Sequence, residues 1–109
     1  MANTFVNKKA DLTSNSATTL YTVPSATTAV IKSILVSEDS GNADTITVTI
    51  TDAESSPATF SLFKTKSISA NATAELLTAP LVLKTGEILK VTAATANRLH
   101  VVASILEIT

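Results

Sequence analysis

The segment Thr45-Ile46-Thr47-Val48-Thr49-Ile50-Thr51 alternates strictly between apolar and hydroxyl side chains. In an extended chain successive side chains point to opposite faces. The alternation therefore sets Ile46, Val48 and Ile50 against a core and the four threonines away from it. A helix would scatter the same residues around its circumference. Every position is β-branched and stiff at χ1, which disfavours a helix and suits a pleated strand. A lone strand cannot bury its stripe, so the rest of the chain must supply partners.

Further extended candidates follow at short intervals. Residues 30–36 (Val-Ile-Lys-Ser-Ile-Leu-Val) and 99–106 (Leu-His-Val-Val-Ala-Ser-Ile-Leu) are apolar on both faces, as in strands covered on both sides. In a chain this small, the second face is most simply covered by another subunit, with flanking loops as the alternative cover. Shorter candidates lie at 20–23, 58–64, 73–77, 81–84 and 87–93. Residues 71–77 also suit a helix by composition, but the stretch is too short to hold one unaided, and the extended form is expected.

The breaks carry turn chemistry. Pro24 cannot donate to a ladder. Gly41 with Asn42, and Gly86, can take positive φ. Asp52 to Pro57 reads as a loop. Turn signals every 8–12 residues or so point to an all-β fold, a single antiparallel β-sandwich. Residues 7–19 are polar and rich in Ser, Thr and Asn. Residues 1–19 are accordingly expected to form an irregular arm, and residues 20–109 the sandwich domain.

Composition narrows the function. At 109 residues there is room for one domain. A folded chain of this size exposes about 5,700 Å² of the roughly 16,400 Å² it exposes unfolded. Eight Lys and Arg against nine Asp and Glu give a net charge of −1, with no basic stripe to follow a phosphate backbone, so nucleic acid is not an expected partner. Only 16% of residues are charged, which suits a surface partly covered by neighbours. Cysteine is absent, which removes disulfides and thiolate metal sites. The first residues have no basic start and no apolar run, so no leader peptide is expected. No stretch approaches the roughly 20 apolar residues of a membrane span, and no membrane partner is expected.

No catalytic, cofactor-binding or metal-ligating residue is expected, and the chain is read as not an enzyme. His100 is the single histidine, and its sequence neighbours are apolar, so it is expected on a sheet face without a ligand set. Glu38, Asp39, Asp44, Asp52 and Glu54 bracket one strand. Their spacing fits no calcium loop, and solvated loop charge is the expectation. No serine lies in a nucleophile turn, and two glycines cannot build a phosphate loop. Phe60 and Phe63 are expected in the core, on opposite faces of one strand. With no Trp and few rings, a carbohydrate-binding module is disfavoured.

Two stretches carry a resemblance. Leu20-Tyr21-Thr22-Val23-Pro24 leads into Ala29-Val30-Ile31-Lys32-Ser33-Ile34 and then Gly41-Asn42-Ala43-Asp44-Thr45-Ile46-Thr47-Val48. The second runs from Leu81 to Val91 through Lys84-Thr85-Gly86-Glu87 and ends in the strand at 101–108. The pattern resembles small virion structural proteins of tailed bacteriophages, including those of cyanobacteria, of the capsid decoration or cement type. The resemblance implies a jelly-roll-like sandwich, assembled in a host cytoplasm and carried in many copies on a virion. It implies a homotrimer docked on the major capsid protein, with a tail or baseplate component or host-recognition module as the alternative. It brings no catalytic motif, so no residue inherits a chemical role.

Overall fold

Nine strands and no helix make up residues 2–109, the part of the chain that the computed structural model describes. They are β1 (Asn3–Asp11), β2 (Thr18–Thr22), β3 (Thr28–Glu38), β4 (Asp44–Thr51), β5 (Thr59–Ile68), β6 (Thr73–Glu75), β7 (Leu81–Leu83), β8 (Ile88–Ala93) and β9 (Leu99–Ile108). The first sheet has the order β1-β9-β3-β6, with β7 paired to the same side of β3 as a separate short strand. The second has the order β2-β8-β4-β5. All pairings are antiparallel. The chain crosses between sheets after β1, β2, β3, β5, β7 and β8, the winding of a jelly roll whose sixth strand is interrupted. The expected antiparallel sandwich is therefore present, and its accessible surface of 5,860 Å² lies close to the size-based value.

The alternation of β4 is realised as read. Ile46 and Val48 are fully buried, Ile50 packs at the margin of the core, and the threonines between them face outward. Val91 and Leu89 of β8, Ile31, Ile34 and Val36 of β3, and Val101, Ala103 and Ile105 of β9 complete the layer between the sheets. At about 25 cal/mol per Å² of apolar surface, this burial is the main term holding the fold. Gly41 and Gly86 take φ of 83° and 84° in the turns assigned to them.

Two expectations are corrected. The irregular arm at residues 1–19 is instead mostly strand. β1 pairs with β9 over its whole length without a register shift, and β2 begins at Thr18. β1 is a sheet edge with most side chains exposed, so burial imposes no alternation on it. Second, Phe60 is 55% exposed, and only Phe63 packs against the core. Their cross-strand partners, Ile50 and Val48, belong to one inward face, because bulges between β4 and β5 change the count between the two rings. Within this one chain β3 and β9 are covered on one face. Their outward residues, such as Val30, Leu35, Val102 and Leu106, are exposed or half-buried. The stretch at 71–77 is extended rather than helical, though only Thr73–Glu75 pairs as strand.

Two polar contacts tie the layers and loops together. The Tyr21 hydroxyl of β2 donates to Glu107 Oε2 of β9 in the other sheet, at 2.5 Å. Burial, and then the Glu107 carboxylate, push the Tyr21 phenol up. At the opposite end, Glu38 is 2% exposed. Its carboxylate accepts from the Ser40 hydroxyl and from the backbone N–H groups of Ser40 (2.8 Å), Asn71 (3.0 Å) and Gly41 (3.1 Å). Burial alone would raise the Glu38 carboxyl, but those donors outweigh it and hold it down at about 2.

Candidate interaction surface

Cross-strand register sets the chemistry of each outer face, because directly opposed residues point to the same side of a sheet. On the first sheet Phe5 opposes Leu106, Leu106 opposes Val30, and Val30 opposes Val82. These four form an apolar row that runs from the β1 edge to the β7 edge. Its ends are its most open points, with Phe5 76% and Val82 59% exposed. Two rows along the strands, Val102 opposes Leu35, flanked by Lys9 and Glu75. Between these rows lies a polar row of Asn7, Ser104 and Ser33. Three of the four large exposed apolar side chains, Phe5, Leu35 and Val82, lie on this face. Fully covering a Phe or Val side chain contributes about 1.5–3 kcal/mol, so a partner seated here would gain several kcal/mol.

The bulge in β3 between Ile31 and Ser33 shapes this face. Glu75 supports it. Its carboxylate accepts from the Ser33 hydroxyl and from the backbone N–H of Ile34 (2.9 Å) and Leu77 (3.2 Å). Burial raises the Glu75 carboxyl, but these donors prevail and leave it below its ordinary value.

The charged candidates divide differently from their sequence reading. His100 lies on the outer face of β9 with its side chain 43% exposed. Its Nε2 is 3.2 Å from Asp11 Oδ1, and its Nδ1 is 3.4 Å from Asp39 Oδ2. Sequence reasoning missed both partners. Asp11 falls in the stretch expected to be an irregular arm, and only the β1–β9 register places it opposite His100. The carboxylates sit at opposite ring nitrogens and do not converge. Among the described residues no group of three or more His, Cys, Asp or Glu is placed to hold a metal ion.

Solvated loop charge is corrected for two of the five acidic residues. Glu38 is buried, and Asp44, 8% exposed, accepts the Thr95 N–H at 3.1 Å. Asp52 caps its own loop through the N–H groups of Glu54 (3.3 Å) and Ala58 (3.1 Å). Each of these three carboxylates accepts at least one donor from within the chain.

An apolar cleft of about 310 Å³ opens between Leu62 and Phe63 of β5 and the Leu76–Leu81 connection. It exists because the strand interrupted between β6 and β7 leaves that margin of the sandwich unclosed. A more polar cleft of about 420 Å³ lies by Glu54, Lys84 and Glu87.

No known family model matches this chain, and no curated protein matches it.

Proposed function

We propose that the chain is a virion structural protein of the decoration or cement type, a homo-oligomer that docks on the major capsid protein and performs no reaction. The observation that carries the reading is the apolar row Phe5–Leu106–Val30–Val82 on the outside of a folded sandwich. Folding alone gains nothing from holding Phe5 and Val82 in water. A surface covered by a neighbour gains their burial. Scarce charge supports the same reading, since a docked surface keeps few ions to desolvate.

The mechanism is additive binding. A ligand that binds only the assembled shell stabilises it by mass action, and repetition over a lattice multiplies the effect. The resemblance favours a homotrimer, whereas the sheet edges favour a twofold contact.

Particles lacking the protein should still close and package DNA but rupture at lower temperature or on osmotic shock. Added protein should restore the threshold, and a Phe5→Ser/Val82→Ser variant should not. With a net charge of −1, rebinding should weaken little in moderate salt. Heat-resistant heads with defective tails in the deletion would discard the shell role in favour of a tail or baseplate role.

A further inference from the structure

Four strand edges close the two sheets, and three of them are poorly suited to pairing. β2 is five residues long with a bulge between Thr19 and Tyr21. The β5 ladder shifts register twice, and Thr65 stands at φ 50°, a conformation that a β-branched side chain resists. β6 and β7 are three residues each, with Pro80 just ahead of β7. Such short, bulged or twisted edges resist adding a further strand.

The β1 edge is different. Its nine residues pair one-for-one with β9 and carry no bulge. Ala2 and Thr109 exchange both backbone hydrogen bonds, and the Leu12 N–H donates to Leu99. In an antiparallel ladder, hydrogen-bonded and non-bonded pairs alternate. The even residues from Ala2 to Leu12 therefore turn their backbone groups to β9. Asn3, Phe5, Asn7 and Lys9 turn theirs to the open side, where no other backbone group among the described residues meets them, whereas Asp11, the fifth residue of that phase, has its carbonyl taken by the Thr13 N–H.

We propose that a second copy of this chain occupies this edge, its β1 antiparallel to the first across a twofold axis at Val6. That register sets Asn3 opposite Lys9 of the second copy and Phe5 opposite Asn7 of the second copy. It pairs all four open residues of each strand, for about eight backbone hydrogen bonds. That count lies within the 10 ± 5 or so of a specific interface. A register centred on Phe5 leaves Lys9 unmatched among the described residues, and one centred on Asn7 sets Asn3 opposite Asp11, whose carbonyl already accepts the Thr13 N–H.

The lysines agree with the Val6 register. Lys8 meets Thr4 and Lys9 meets Asn3 of the second copy, whereas an axis at Lys8 would oppose two ammonium groups. A twofold axis normal to the sheet leaves both outer faces on one side, so the apolar rows of the two copies lie together on one surface of ten strands. The pairing rests on the backbone geometry of β1 and not on the virion reading. Its failure would leave the docking experiment above untouched.

Light scattering on the purified chain at sub-millimolar concentration should give twice the mass of one chain. A monomer or a trimer there would overturn the proposal. Asn7→Pro removes an open-edge N–H and puts a ring in the path of the second strand, while sparing every β1–β9 bond. It should give a folded monomer, and a folded dimer would overturn the proposal.

Single cysteines test the register without relying on that variant's folding, since the chain has no native cysteine. At a non-bonded antiparallel pair the Cα atoms lie about 4.5 Å apart, within the roughly 4.4–6.8 Å span of a disulfide. Val6→Cys should therefore cross-link to a dimer under mild oxidation. Phe5→Cys should not cross-link to itself, because its counterpart is a diagonal neighbour about 7–8 Å away. Cross-linking of Phe5→Cys without Val6→Cys would overturn the proposed register.

Discussion

On the second sheet, the side chains that face away from the core along the middle strands include Thr47, Thr49, Lys90 and Thr92. On the first sheet, the corresponding positions hold Val30, Leu35, Val102 and Leu106. Both sheets obey the same period of two, and both bury a comparable inner layer. The hydroxyl face is complete in water, because threonine presents a polar group at no packing cost. The apolar face is incomplete in water, and nothing in the folding of one chain requires it. The difference separates what a jelly roll needs in order to fold from what this chain adds to it.

The largest effect expected tests the inner layer common to both sheets. Val48 is fully buried, so Val48→Asp places a carboxylate without a partner in the core. That should cost several kcal/mol of a total of about 5–15 kcal/mol and abolish the cooperative melt. Thr47→Asp should leave the melt in place, since its carboxylate can accept the Thr65 N–H that the Thr47 hydroxyl accepts now. Equal melting temperatures for the two variants would break the distinction between the faces of β4.

A second test asks whether the anchoring of the first sheet is acid-labile. Glu38 is held at about 2, below its ordinary 4.5. A depressed carboxyl contributes stability that is fully present above the ordinary value and is lost as pH falls toward the folded value. The melting temperature should therefore drop between about pH 4.5 and 2. Glu38→Gln should melt lower than the wild type at neutral pH and show a flatter decline on acidification. The lowered Glu75 carboxyl acts in the same direction and leaves part of that decline in place.

Tyr21→Phe probes the link between sheets. Losing the hydrogen bond to Glu107 should cost about 1–2 kcal/mol, read from denaturant midpoints at an unchanged slope.

The smallest effect should come from the outer face itself. Phe5→Ser should change the stability of an isolated subunit by no more than about 0.5 kcal/mol, because the ring is already in water. A marked destabilisation would mean that the face serves folding after all, and the contrast between the two sheets would lose its meaning.

Eight of the nine strands were legible in the alternation and the turn chemistry, with ends displaced by a few residues. β1 was not, because an exposed edge selects no apolar stripe and its partner lies about a hundred residues away. Phe60 and Phe63 were not on opposite faces as expected, because bulges cannot be read from the residues that flank them. Glu38 hid inside an apparently solvated loop, although a signal was available: Ile34, Val36 and Glu38 continue one inward phase. The Asp11–His100–Asp39 cluster needed the β1–β9 register before it could exist on paper. The apolar outer residues of β3 and β9 were visible from the start as strands apolar on both sides. Only their register across the sheet turned them into a row.

The place of β9 between β1 and β3 has a consequence for timing. During synthesis, residues 99–108 leave the ribosome after every other strand is made. Until then β1 has no neighbour in its sheet and β3 lacks its longest partner. The second sheet can close once β8 is made, but the first must wait for β9 with β1 unpaired and β3 held only by the short β6 and β7. Translation speed over the codons for residues 94–108 should then influence how much of the product escapes aggregation. A domain fused before residue 2 would emerge from the same corner as one fused after residue 109, because Ala2 and Thr109 are hydrogen-bonded to each other.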